Sequence, residues 1–95
     1  MISYWKDTKQ RKTYKVDTTS EKDEAYIYWV QVHMFDDGAF VHARGRDVVQ
    51  GKYKAKEILE VTAAPSTEKE YISSLKDYFA IDKKVRGQFI KQYEL

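Results

Sequence analysis

The chain has 95 residues, of which 42% are apolar and 34% are charged, and its formal net charge is +2, a composition that fits one soluble globular domain and excludes a disordered segment. It contains no cysteine, which excludes disulfides, thiolate chemistry and cysteine-ligated metal centres and favours the cytoplasm. No apolar run reaches the roughly 18 residues of a membrane-spanning helix, so no membrane partner is expected.

The first 24 residues predict a β-hairpin followed by a loop. Residues 2–6 are a short apolar-rich run, and residues 11–18 alternate, with Tyr14 and Val16 on one side. The polar segment DTKQ between the two runs is typical of a turn. Residues 17–24 show no periodicity and predict a solvated loop.

Residues 25–35 are the clearest predicted strand because they are rich in aromatic and β-branched side chains. The even positions from Tyr26 to Met34 are all apolar or aromatic, whereas the odd positions turn polar after Trp29. We therefore expect the even-numbered side chains to face the core and the odd-numbered ones to be only partly buried.

The segment DDG predicts a tight turn into a second strand over residues 39–49. A two-residue turn at Asp37–Gly38 would pair Val32 with Ala43 and keep apolar residues together along the whole hairpin. A loop of odd length would instead place Val32 opposite His42. The apolar pattern therefore favours the two-residue turn.

Residues 52–62 are ambiguous. A helix is indicated by Ala55, Ile58 and Leu59, and a strand by Tyr53, Ala55, Leu59 and Val61. Because the segment starts with alternation and ends with β-branched residues, we predict a strand.

Beyond Pro65 the apolar period becomes helical. Thr67 and Glu70 have the spacing of a capping box. The helix stripe that follows consists of Tyr71, Ile72, Leu75, Tyr78 and Phe79. Asp82 is expected to cap a second helix, whose stripe is Val85, Phe89, Ile90 and Tyr93. A single bent helix over residues 68–93 is the alternative.

These elements predict one α+β domain over residues 1–95. An antiparallel β-sheet of four to five strands in meander order is expected in residues 1–62, and one or two C-terminal α-helices in residues 66–95 are expected to pack on one face. The sheet face expected to meet the helices carries Tyr26, Tyr28, Val30, Val32, Met34, Val41 and Ala43.

The opposite face of the predicted hairpin carries aromatic, histidine and arginine side chains. In the predicted register Trp29 lies opposite Arg46 and His33 lies opposite His42. Such a set suits a protein-binding hot spot or a platform for stacked nucleobases, unless the N-terminal hairpin or the second helix covers it. The predicted binding residues are Trp29, His33, Phe35, Phe40, His42, Arg44 and Arg46.

The chain has three basic clusters, KQRKTYK, RGR and KYKAK, and two of them interleave cations with tyrosine. This is a mild nucleic-acid signature, although lysines also protect exposed strand edges from pairing. The candidate basic patch consists of Lys9, Arg11, Lys12, Lys15, Lys52, Lys54 and Lys56. The two histidines are too few for a metal site, so neither a metal nor another cofactor is expected.

The sequence has none of the phosphate-loop, zinc-protease or serine-hydrolase motifs, so we expect no enzymatic activity. The prediction is a small non-enzymatic binding protein, an inhibitor or adaptor that docks onto a larger protein, with the size of accessory proteins of phages and mobile elements. A nucleic-acid-binding domain that uses the aromatic and basic sheet face is the alternative. A protein partner is thus favoured over nucleic acid.

Overall fold

The structure is a computed structural model that describes residues 1–93, with side chains described for residues 1–87. Its elements in chain order are β1 (Ile2–Asp7), β2 (Lys12–Asp17), β3 (Glu24–Met34), β4 (Phe40–Gln50), α1 (Lys54–Glu60), β5 (Ala64–Pro65) and α2 (Glu68–Tyr93). The five strands form one antiparallel sheet in the order β4-β3-β2-β1-β5. The predicted α+β class, with a meander and a C-terminal helix, is confirmed.

The N-terminal hairpin formed by β1 and β2 is also confirmed. Its turn is fixed by the buried Asp7, whose Oδ1 accepts a hydrogen bond from the backbone N–H of Gln10 at 3.1 Å. Arg11 closes the turn with a φ of 58°, a left-handed conformation that lets the chain re-enter the sheet.

The prediction of a strand over residues 52–62 is wrong, because seven of these residues form the helix α1. Ala55 and Leu59 are four residues apart, so they lie on one side of the helix, and both are buried. Lys56 pairs with Glu60 across one exposed turn at 3.6 Å. The fifth strand is instead the two-residue β5, which pairs with the edge of β1.

The long helix α2 is one continuous element of 26 residues, so the single-helix alternative is correct. The predicted N-terminal cap forms, because Thr67 Oγ1 accepts a hydrogen bond from the backbone N–H of Glu70 at 3.2 Å. Asp82 does not cap a second helix; its Oδ2 lies 2.9 Å from Arg86 Nε, one turn later within α2. The predicted stripe residues Phe89, Ile90 and Tyr93 lie outside the residues whose side chains are described.

The register between β3 and β4 differs by one residue from the prediction. Asp36–Gly38 is a three-residue turn, in which the N–H of Phe35 donates to the carbonyl of Ala39 at 2.7 Å and Gly38 has a φ of 86°. Val32 is therefore paired with His42. Because side chains alternate with a period of two, this shift turns every side chain of β4 to the other face of the sheet.

The close packing of Trp29 on Gly45 gives a physical reason for the observed register. The two residues are paired, and a Cβ atom at position 45 would lie only 2.7 Å from Cζ2 of Trp29. In the predicted register Trp29 would instead face Arg46. A residue without a side chain is thus placed where the indole needs space.

The β3 strand buries side chains on both faces of the sheet, whereas the sequence predicted one main core face. The face covered by α1, here called the α1 face, holds a cluster of buried residues, which are Trp5, Val16, Ala25, Ile27, Ala55 and Leu59. On the face crossed by α2, here called the α2 face, Val30 is 1% exposed, whereas the predicted core residue Met34 is 50% exposed. The larger core is therefore opposite the predicted one.

The helix α2 crosses the strands β1 to β4. Glu70, in its first turn, lies 3.3 Å from the ammonium of Lys6 on β1, and Asp82, three turns later, lies 3.6 Å from Nε2 of His42 on β4. The helix does not cover the paired residues of β3 and β4 near the start of β3. Tyr28, which lies there opposite Arg46, therefore remains only half-buried. An open part of the sheet therefore borders the helix.

Candidate binding site

The structure divides the seven predicted binding residues between the two faces of the sheet. Trp29 and His33 lie on the α1 face, because they alternate with the residues of β3 that face α2. Phe35 lies between the end of β3 and the turn that leads to β4. The remaining four share the α2 face; they are Phe40, His42, Arg44 and Arg46. The expectation of one continuous recognition face is therefore wrong in its geometry.

Trp29 forms a cation–π contact with a different partner from the predicted one. The ammonium of Lys12 lies 4.9 Å from the ring centroid of Trp29, and Arg46 is on the opposite face. The neighbouring Gln31 donates from Nε2 to the carbonyl of Gln10 at 2.7 Å, which ties β3 to the turn between β1 and β2. Trp29 is thus a half-buried structural residue of this end of the sheet.

The predicted cross-strand pair of His33 and His42 does not form, because the two imidazoles lie on opposite faces. His33 packs edge-on against Phe35 with ring centroids 4.6 Å apart. His42 lies under α2, where its Nε2 is 3.6 Å from Asp82 and its ring centroid is 5.4 Å from that of Tyr78. In the part of the chain that the structure describes, no three His, Asp or Glu side chains are placed to hold a metal ion.

The α2 face contains an open groove between the helix and the strands β3 and β4. The groove has a volume of about 440 Å³. We call it the tyrosine–arginine groove and define it by the side chains of Tyr28, Val30, Arg44, Arg46, Tyr71 and Leu75. The buried Val30 and Tyr71 form its base, whereas both arginines are exposed at its outer side. The groove therefore offers cationic groups above an apolar base.

The cations of the groove and its surroundings lie over aromatic rings. Arg46 lies 5.6 Å from the ring centroid of Tyr26, and Lys15 lies 5.8 Å from that of Tyr28. Arg44 contacts α2, with its guanidinium 4.9 Å from the ring centroid of Phe79. These contacts hold the basic side chains against the surface, which reduces the conformational entropy that they would lose on binding.

The side of α2 next to the groove is apolar and exposed. Ile72 and Phe79 are 40% and 48% exposed, and their spacing places them on the same side of the helix as Leu75, which lines the groove. On the strand side, Val48 is 47% exposed. An apolar surface of this kind beside cationic groups is typical of a binding region.

The charges around the groove are mainly positive. Within residues 1–87, Lys15, Arg44 and Arg46 have no carboxylate within 4.0 Å. The hydroxyl of Tyr26 donates to Oε1 of Glu24 at 2.8 Å, and this hydrogen bond raises the pKa of Tyr26 above its usual 10.0. Burial likewise raises the pKa of Tyr71, so both phenols are neutral hydrogen-bonding groups at neutral pH.

The candidate basic patch does not form one surface. Its members Lys9, Arg11 and Lys12 lie at the turn between β1 and β2, and Lys15 lies on the α2 face beside Tyr28. Three further members are in or next to α1, at the other end of the sheet; they are Lys52, Lys54 and Lys56. The sequence clusters are therefore separate in space.

The sequence alone predicts that several residues of the groove belong to the core. Tyr28 was expected to be covered, and Tyr71 and Leu75 were expected only as a helix stripe. The β3–β4 register was the missing information, because it places Arg44 and Arg46 beside Tyr28. A sequence signal was present in the arginines that alternate with small residues in HARGR, next to a strand rich in tyrosine.

Comparisons of the chain with protein-family models, with curated proteins and with solved structures found no match. In the described part of the chain, neither helix combines the length and the apolar character that crossing a membrane requires.

Proposed function

We propose that this protein is a non-enzymatic binding protein, an inhibitor or adaptor, that docks an acidic surface of a larger protein onto the tyrosine–arginine groove. The observation that carries the proposal is the combination of Arg44 and Arg46, which lack carboxylate partners among the described side chains, with the exposed apolar side of α2. Tyrosine and arginine are the residue types enriched in protein hot spots, and apolar neighbours supply the desolvated surroundings.

A protein partner fits the groove better than a single-stranded nucleic acid. A base would stack on the rings of Tyr26 or Tyr28, but these rings already carry Arg46 and Lys15 within 5.8 Å of their centroids. A nucleic-acid strand also needs a continuous basic track, whereas the basic clusters of this chain lie at opposite ends of the sheet. The exposed Ile72 and Phe79 offer apolar contacts that a protein surface uses well.

The acidic character of the partner follows from the charges. Arg44 and Arg46 are held over aromatic rings rather than by carboxylates, so a partner carboxylate can form hydrogen bonds with them without breaking an ion pair. Such complementary charges raise the association rate and select against basic surfaces. We place this binding activity in the cytoplasm, as expected for a small domain without cysteine.

The test is capture of partners from a lysate of the source cells by three forms of the protein, each with and without nuclease. The wild type and Lys22→Glu, which changes the same charge in an exposed loop, are expected to capture the same proteins. Arg46→Glu is expected to capture at least about tenfold less of these proteins, because its carboxylate would face the acidic surface of the partner.

Two results would contradict the proposal. Capture that disappears with nuclease would show that nucleic acid is the partner. Equal capture by all three forms would show that the groove is not the binding surface. Circular dichroism of Arg46→Glu is the control that the variant still folds.

A further inference from the structure

A second cavity lies on the α1 face, away from the tyrosine–arginine groove. Its volume is about 650 Å³, within the usual size of small-molecule sites. Trp5 and Val16 form its floor on β1 and β2. Its sides are lined by Tyr53, next to the start of α1, by Ala63, just before β5, and by Pro65 of β5. The cavity lies at the side of the short helix α1, next to the buried cluster to which Trp5 and Val16 belong, so only the outer part of these two side chains faces it.

The polar groups of the floor are already hydrogen-bonded within the protein. The indole Nε1–H of Trp5 donates to Oγ of Ser3 at 3.1 Å, and the hydroxyl of Thr18 donates to the carbonyl of Met1 at 3.1 Å. A ligand therefore needs to form few hydrogen bonds with the floor of the cavity. The portion of a ligand that lies against Trp5 is expected to be hydrocarbon.

The mouth of the cavity carries a net positive charge. Lys52, Lys56 and Glu60 lie there, and the last two pair with each other at 3.6 Å. Among the described side chains, no carboxylate lies within 4.0 Å of the ammonium of Lys52. The backbone N–H of Lys52 donates to Oδ1 of Asp23 at 2.9 Å, which anchors the residue beside the opening.

We propose that this cavity binds an amphiphilic carboxylate of the medium-chain fatty-acid class. Its hydrocarbon chain lies against Trp5 and Val16, and its carboxylate accepts hydrogen bonds from the ammonium of Lys52. An apolar body and one anionic end match the apolar floor and the cationic mouth. The inference does not depend on the proposed protein partner, because the two surfaces are on opposite faces of the sheet.

The test uses the full chain labelled with ¹⁵N, titrated with decanoate below its micelle concentration. The chain has two tryptophans, so its spectrum has two indole N–H signals, which Trp29→Phe assigns. The Trp5 signal is expected to move and saturate, whereas the Trp29 signal stays in place because Trp29 lies outside the cavity. Decan-1-ol and decylamine are the probes with the same chain length and no negative charge.

Decanoate is expected to bind about fivefold or more tightly than decan-1-ol, and decylamine more weakly still, because only the carboxylate pairs with Lys52. Lys52→Gln should remove this preference, whereas Lys54→Gln, the matched change outside the cavity, should keep it. Ala63→Leu fills part of the cavity and should weaken the binding of decanoate by about tenfold. Ala64→Leu, one residue further along and outside the cavity, should bind decanoate as tightly as the wild type does.

Several outcomes would overturn the inference. These are equal movement of both indole signals, no saturable movement, or binding of the alcohol or the amine as tightly as the carboxylate. Saturation by the uncharged peptide acetyl-Leu-Leu-amide, without saturation by decanoate, would identify a peptide site instead. If Ala63→Leu does not fold, the comparison of Lys52→Gln with Lys54→Gln still tests whether Lys52 causes the preference for the carboxylate.

Discussion

The two faces of the sheet are stabilised by different means. The seven-residue helix α1 contributes Ala55 and Leu59 to a cluster of buried apolar side chains. The helix α2, with 26 residues, contributes only Tyr71 to the buried set among the described side chains. Its other contacts with the sheet come from half-buried apolar side chains such as Leu75 and from rings, cations and ion pairs. Helix length is thus a poor guide to core formation. The face with the smaller core is the one that carries the tyrosine–arginine groove.

The largest expected effect on stability is that of Leu59→Ala on the α1 face, compared with the matched change Leu75→Ala on the α2 face. Leu59→Ala should lower the free energy of unfolding by about 2–5 kcal/mol, because Leu59 is 4% exposed within the main cluster. Leu75→Ala should cost only about 1 kcal/mol, because Leu75 is half-buried at the groove. Urea unfolding of both variants measures the difference. Equal losses would show that the two faces contribute equally to stability.

An intermediate effect is expected from Gly45→Ala. The added Cβ atom would lie 2.7 Å from the ring of Trp29, so either the indole or β4 must move, at a cost of about 1–3 kcal/mol. In a Trp29→Leu background the same change should cost much less, because the ring is absent. Unfolding of the four forms as a double-mutant cycle measures the coupling, and additive effects would contradict the close packing.

The smallest expected effect concerns pH and the first turn of α2. Hydrogen bonds from the hydroxyl of Ser66 and the ammonium of Lys6 hold the pKa of Glu70 below its usual 4.5. A carboxyl whose pKa is lowered by folding stabilises the folded state above its usual pKa, and this stabilisation is lost as the pH falls through the lowered value. Glu70 is exposed, so the contribution is modest.

The thermal midpoint of Glu70→Gln should therefore fall below that of the wild type at about pH 6 and approach it at about pH 3. Glu68→Gln, which makes the same chemical change in the same turn of α2, is the matched control. A constant difference between the wild type and Glu70→Gln over this range would show that the ionised carboxylate contributes nothing.

Local patterns predicted most elements of the fold. The aromatic and β-branched residues of β3, the polar turn of the first hairpin and the cap at Thr67 are signals that act within a few residues, and each is present in the structure. Residues 52–62 were mispredicted because both periods fit them. The helix is favoured there because Ala55 and Leu59 pack against strands that are distant in the sequence. Local propensity does not contain that information.

The candidate site was harder to predict than the fold because it depends on register. The segment DDG permits a turn of two or three residues, and matching apolar residues across the hairpin favoured the wrong one. Two distant features fit the observed choice: Trp29 packs on Gly45, and His42 meets Asp82 of α2. Both contacts join residues far apart in the chain, so the arrangement of Arg44 and Arg46 beside Tyr28 requires the three-dimensional structure.

The three-residue turn at Asp36–Gly38 has a consequence for how this surface can evolve. If one codon were lost from the turn and Phe35 were drawn in to keep a three-residue turn, Met34 would pair with Ala39 instead of Phe40, and the period of two along β4 would carry Arg44 and Arg46 to the α1 face. Neither the composition of β4 nor its net charge would change. An insertion or deletion in one hairpin can therefore exchange the chemistry of two surfaces, a route to new specificity that point substitution does not offer.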